Sequence, residues 1–286
     1  MKATQLYQQL ETDFVTPEMI EDWAEYMDPV ANILCDNFLK RSMGLVCDFA
    51  TEINKVYTAV FPSNEVMQGI LNSGTKDAML FVHHPLIWDI RKAPDIFQPM
   101  DRDMLQQFRE RRISIYNFHV PLDNFGEYST SVTLANALGI KPEKPFAPYY
   151  GALAGVFGKT KVMTVHELKS VFEQAVSHKV SLDNYGDNEI RDGMVAVIAG
   201  GGLTVAIEDI AQNNVNTFVT GISVQNDYSK KAHQFAEKHK INILGGTHYS
   251  TEKFACMAVC EYFKKLGLHS EFVEDKPVIE DIQACS

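Results

Sequence analysis

Apolar and polar positions follow two different rhythms along the chain. Short runs rich in β-branched and aromatic residues predict buried strands: Lys55–Phe61 (KVYTAVF), Asp77–Val82 (DAMLFV), Ile113–Phe118 (ISIYNF), Ala152–Phe157, Met194–Ala199, Thr217–Thr220 and Ile241–Leu244. Between them, apolar residues recur at helical spacing over Asp101–Arg111, from Thr164 toward Val176, and over Leu203–Gln212, Ser229–His239 and Tyr249–Leu266. Nearer the start, Thr16-Pro17-Glu18 reads as a cap followed by proline, and Met19, Ile20, Trp23 and Met27 give the helix expected there one apolar face. Strands alternating with helices of this length predict an α/β fold. Pro142, Pro145 and Pro148 predict an irregular connection over Lys141–Pro148.

Composition narrows the function classes. Among 286 residues, 37 acidic side chains outweigh 26 basic ones, for a formal net charge of −11. No Lys/Arg cluster stands out, which argues against duplex nucleic acid as a partner. No apolar run approaches the eighteen or so residues that span a bilayer, so no membrane partner is expected. The first ten residues, MKATQLYQQL, lack the apolar stretch of a secretory signal, and a cytoplasmic location is expected. The five cysteines, Cys35, Cys47, Cys256, Cys260 and Cys285, form no CxxC pair and read as reduced thiols, with Cys256 and Cys260 on the core side of a helix.

Of nine histidines, four sit where a strand stops or a helix begins: His83, His84, His119 and His248. Such ends are where α/β folds place their sites. His83-His84-Pro85 closes one strand. His119 and Asp123 stand four apart around Pro121, read as an extended segment in which they share a face. His248 and Glu252 stand four apart at the mouth of the last helix, one turn from each other. Alone, each pair also reads as a local hydrogen bond or helix cap. Together they supply imidazoles and carboxylates suited to zinc, iron, manganese or nickel. Gly200-Gly201-Gly202 is followed by no GK[ST] and reads as a tight strand-to-helix turn. Lys230-Lys231, with His233, Lys238, His239 and Lys240, reads as a solvated helix face.

The strings Val82-His83-His84-Pro85-Leu86-Ile87-Trp88, Asn117-Phe118-His119-Val120-Pro121-Leu122-Asp123 and Gly246-Thr247-His248-Tyr249-Ser250-Thr251-Glu252 resemble, in order, the three signature segments of the NIF-three-like family. These are dinuclear metal-centre proteins often labelled GTP cyclohydrolase I type two. Two features depart from that pattern. Ile222 stands where the family commonly has an acid, and the N-terminal aspartate and glycine motif is blurred over Cys35–Leu45.

The resemblance implies two divalent ions per chain, with His84 and Asp123 on one, His83 and His248 on the other, and Glu252 bridging both. It further implies two similar α/β subdomains with mixed sheets, residues 1–125 with 242–286 and residues 126–241, assembled as a toroidal homohexamer. The expected activity is that of a metal-dependent hydrolase, a metal-activated hydroxide attacking a small anionic, nucleotide-like or phosphorylated substrate. His119, outside the implied ligand set, is the candidate catalytic acid/base or a residue orienting Asp123. The alternative is a non-catalytic metal-binding scaffold or regulatory protein acting through partners.

Overall fold

The computed structural model describes residues 1–92 and 95–282, so Cys285 lies outside the described residues. The chain divides into two compact units, Met1–Leu122 with Cys256–Lys276, and Asp123–Ala255 with the segment from Pro277 on.

The first unit contains α1 (Ala3–Phe14), α2 (Asp36–Arg41), β1 (Gly44–Cys47), β2 (Lys55–Ala59), α3 (Asn64–Asn72), β3 (Ala78–Val82), β4 (Ile87–Trp88), β5 (Phe97–Gln98), α4 (Arg102–Arg111) and β6 (Ile113–Asn117). Its main sheet has the order β1-β6-β3-β2-β13, where β13 is His269–Phe272. β1 runs antiparallel to β6, while β3 is parallel to β6, and β2 is parallel to both β3 and β13. Every residue of β3 and β6 is buried; β3 (AMLFV) is accordingly apolar without alternation, while in β6 the buried Ser114 hydroxyl accepts the Phe49 and Ala50 N–H groups and Asn117 donates to the His83 carbonyl. Ser63 and Asp101 cap α3 and α4, accepting from the backbone N–H groups of Val66 and Met104. Leu80, Val82, Ile113 and Ile115 of the sheet join Val66, Ile70, Leu105 and Phe108 of these helices in one core.

The second unit follows the single turn α5 (Val120–Asp123) with α6 (Thr130–Ala137), β7 (Lys141–Tyr149), β8 (Ala152–Lys159), α7 (Val165–Val176), β9 (Ser181–Asp183), β10 (Met194–Ile198), α8 (Leu203–Gln212), β11 (Thr217–Thr220), α9 (Lys230–His239) and β12 (Asn242–Gly245). The sheet order is β7-β8-β10-β11-β12-β9, with β10, β11 and β12 parallel and the outer strands antiparallel. α10 (His248–Lys265) begins in this unit and ends in the first. The mixed α/β class expected from the alternation is observed.

Several expectations need correction. No helix follows Thr16; residues 17 and 18 form a turn, and short 3-10 helices cover Trp23–Tyr26 and Asp28–Ile33. A helix burying Met19, Trp23 and Met27 would send Glu21 to solvent, whereas the Glu21 carboxylate turns inward and accepts the Val120 N–H at 3.0 Å. Ile20, assigned to the apolar face, is 62% exposed. The proline-rich run Lys141–Pro148 is ordered as β7, because it is an edge strand whose prolines need not donate to a neighbour. Residues 120–123 form a helical turn, not an extended segment, with Pro121 in its first turn, where a missing N–H costs nothing. β12 and the first turns of α10, read as part of the first unit, belong to the second, where β12 lies between β11 and β9. His233 is buried, not on a solvated face; its Nδ1 lies 3.0 Å from the Tyr185 hydroxyl.

Candidate metal centre

In the first unit the site is built on the C-terminal ends of two parallel strands. Ladder hydrogen bonds continue past β3: the N–H of His83 donates to Ala59 O at 3.2 Å and that of His84 to Val60 O at 2.9 Å. On β6, Phe118 N–H donates to Val82 O at 3.1 Å, which brings His119 alongside the histidine pair. One ring nitrogen from each of His83, His84 and His119 lies within 4.8 Å of the other two. The ring centroids are 4.5 to 4.8 Å apart, and all three side chains are buried.

Hydrogen bonds set the tautomers of two of these rings. His83 Nδ1 lies 3.0 Å from the Phe118 carbonyl, an acceptor only, so this nitrogen carries the proton and Nε2 carries the lone pair of the neutral ring. His119 Nδ1 lies 2.6 Å from Glu21 Oε1, with side chains only 8% and 2% exposed. Aromatic rings close the surroundings. Trp23 meets His84 and His119 edge-on at centroid distances of 5.7 and 4.9 Å, and Phe61 stacks on His84 at 4.8 Å.

In the second unit, His248 Nε2 and Glu252 Oε1 face each other across the first turn of α10 at 3.0 Å, both buried. The His248 backbone N–H donates to the Asp281 carboxylate at 2.8 Å. Burial pushes the Asp281 carboxyl up to about 7, opposed by its hydrogen bond to the His248 backbone. Gly200, just past β10, has a φ of +66°, and a Cβ there would stand 2.2 Å from Glu252 Oε1. Only glycine gives the backbone both this left-handed conformation and this closeness to the carboxylate. Thr251 Oγ1 accepts the Gly200 N–H at 3.0 Å, tying the turn to the helix. Asp123 Oδ1 accepts from Thr130 Oγ1 at 2.6 Å, at the entrance to α6.

The structure thus gathers His83, His84 and His119 in one unit and His248 with Glu252 in the other. The hydrogen-bond partner of the His119 ring is Glu21, which the sequence reading did not single out. Its only signal was an acid between apolar positions. Buried imidazoles, two of them with Nδ1 engaged away from the cluster, and a buried carboxylate given room by a glycine, are the donor chemistry of borderline divalent ions. These histidine and glutamate groups could hold metal ions. Among the described residues, no helix is long and apolar enough to cross a membrane.

Comparison with known proteins agrees with this architecture. The family model of Duf34/NIF3 (NGG1p interacting factor 3) matches residues 20–277. A GTP cyclohydrolase 1 type 2 homolog of Pyrococcus horikoshii is 27% identical over 240 residues, covering 82% of this chain and 90% of its own length. A protein of the same name from Archaeoglobus fulgidus is 26% identical over 233 residues, covering 81% and 88%. Among solved structures, the protein ybgI, of unknown function, superposes with a TM-score of 0.74 at 21% identity, covering 97% of this chain and all of its own. Reduced HcgD from Methanocaldococcus jannaschii gives 0.66 at 21% identity, covering 96% and 98%. At such identities the solved structures speak for the fold alone. Signature segments, fold and family match converge, and this chain belongs to the Duf34/NIF3 family.

Proposed function

We propose that this protein binds two divalent metal ions per chain and is a metal-dependent hydrolase acting on a small anionic, nucleotide-like or phosphorylated substrate. The reading rests on one observation above the others, the burial of the His83–His84–His119 cluster and the His248–Glu252 pair at strand and helix ends. The ligands are His83, His84, Asp123, His248 and Glu252, with Glu252 shared. The related proteins named as GTP cyclohydrolase 1 type 2 homologs support a nucleotide-like substrate. The ion is zinc, iron, manganese or nickel, the choices open to a mixed imidazole and carboxylate set.

Bound divalent ions would lower the pKa of water and stabilise negative charge developing on a phosphoryl or carbonyl oxygen. The rest is supplied by the chain. Glu21 holds the proton of His119 at Nδ1, and the Phe118 carbonyl does the same for His83. Gly200 leaves room for the Glu252 carboxylate, while Asp281 fixes the first backbone N–H of α10. Trp23 and Phe61 shield His84 from water. Two carboxylates against two divalent ions leave the site positive inside a chain of net charge −11, which favours an anionic substrate. The working form is a cytoplasmic toroidal homohexamer, and light scattering at micromolar concentration should return six chains.

Chelated and remetallated protein, assayed side by side on a nucleotide and phosphoester panel that includes GTP, tests the reading. Turnover that returns with added metal supports it. Equal inactivity of both forms would replace it with the metal-binding scaffold.

A further inference from the structure

Within the second unit, one face of α9 and the segment just past β9 border a cavity of about 370 Å³, whose walls include Tyr185, Gln225, Asp227, Lys230, His233 and Glu237. We propose that this cavity binds a small organic cation carrying a primary amine, with the ammonium group beside His233 and Glu237. The inference goes beyond the hydrolase reading, because it needs no metal ion, no turnover and no residue of the histidine cluster.

Three observations support it. The first is His233, which lines the cavity although it is only 4% exposed. Its Nδ1 lies 3.0 Å from the Tyr185 hydroxyl, while its buried Nε2 makes no hydrogen bond within the chain. A polar atom left so costs stability until a partner arrives. Burial lowers the pKa of the ring below its ordinary 6.5, against the pull of Asp183 and the Ser223 backbone, so the ring is neutral at pH 7. An ammonium group donating to Nε2 selects the tautomer whose proton sits on Nδ1, facing the Tyr185 oxygen.

The second is the rigidity of the opposite wall. Gln225 Nε2 donates to Asp183 Oδ1 at 2.9 Å and to the Tyr185 oxygen at 3.1 Å. A carboxylate only accepts, so the Gln225 amide is fixed in this orientation, and the Tyr185 oxygen is held between Gln225 and His233.

The third is charge. Asp227 and Glu237 in the walls, with Asp183 directly behind Gln225, outnumber the cation Lys230. The Tyr185 phenol is pushed up to about 12, by burial first and then by Asp183 and Glu237, which marks the Tyr185–His233 corner as negative. Lys230 stands seven residues before Glu237, about 10 Å along the helix axis, and leaves that corner to a cation from outside. A metal ion fits less well, since among the described residues no group of three histidine, cysteine or carboxylate ligands gathers here.

The test is isothermal titration calorimetry of the full chain with putrescine and with the corresponding diol, at physiological salt. One saturable putrescine per chain is expected, with no binding of the diol. Glu237→Gln should weaken putrescine about fivefold, and His233→Phe, which keeps a ring in place, about tenfold. Glu143→Gln removes the same charge from β7, at the opposite edge of the sheet from β9, and should change the affinity less than about twofold. No saturable binding of putrescine, equal binding of the diol, or equal losses in Glu143→Gln and Glu237→Gln would overturn the proposal. If circular dichroism shows that His233→Phe does not fold, Glu237→Gln decides alone, and an affinity within about twofold of the natural chain overturns the proposal. The hydrolase reading stands or falls separately, on turnover that returns with metal.

Discussion

Gly200 carries a requirement that no neighbouring residue shares. Its positive φ disfavours any side chain, and a Cβ would enter the space of the Glu252 carboxylate. Gly200→Ala should therefore cost about 1–3 kcal/mol of stability and displace Glu252. Lower metal content by elemental analysis and a lower urea midpoint would be the two readings. An alanine variant with natural metal content would show that Glu252 does not depend on this turn.

At the same scale, the legibility of the site was uneven. His83, His84 and His119 stand out because imidazoles at the ends of apolar strands have few structural uses, and His248 with Glu252 because they lie one turn apart at the start of α10. Glu21 was hidden, since its role depends on a contact 98 residues away and its surroundings imitate one turn of an amphipathic helix. Trp23 was half legible: counted toward a core face, it does pack against the first unit's core, and it also meets two histidine rings edge-on.

Elements were legible where local rules and tertiary packing agree. α7 is the clearest case, with Thr164 and Glu167 closing a reciprocal capping box and Val165, Leu168, Phe172 and Val176 buried on one face. Thr164→Ala should cost about 1 kcal/mol, read as a lower urea midpoint with an unchanged slope.

The same helix makes a pH prediction. Lys169 and Lys179 hold the Glu173 carboxyl down to about 2, below its ordinary 4.5. A depressed folded value means that the stabilisation is fully present above 4.5 and is lost as pH falls toward 2. The pair is partly solvated, so the effect should be only about 0.5 kcal/mol. Glu173→Gln should flatten the dependence of stability on pH over that range, and an identical slope in both proteins would contradict the pairing.

Elements were illegible where packing overrides the local pattern. α6 reads TSVTLANA, with Thr130 through Ala135 all buried, so no polar face marks it as a helix. β7 is a strand despite Pro142, Pro145 and Pro148 because Phe146 stacks on Phe157 of β8, 4.0 Å away, and the strand lies at the edge of its sheet. β9 and β13 are three and four residues long and acquire strand character only from β12 and β2.

For the whole molecule, metal should act as a stabilising ligand of the native chain. An ion that binds only the folded form at a hundred times its Kd adds about 2.7 kcal/mol per site. Chelation should lower the Tm, and added zinc or manganese should restore it in a concentration-dependent way. A Tm indifferent to metal would argue that the buried histidines are structural alone. The acidic surface supplies a second expectation: at net charge −11, association with duplex DNA should be undetectable at physiological salt.

The strand β13 pairs in parallel with β2, joining His269 to Lys55 and Phe272 to Thr58. During synthesis, β2 therefore emerges long before its last neighbour, and the first unit waits with one sheet edge bare until the segment after α10 has been made. The second unit, from Asp123 to Ala255, is nearly complete in sequence by then. Chains stopped near Ala255 should accordingly expose β2 to other chains and aggregate, and a supplied peptide spanning α10 and β13 should suppress that aggregation.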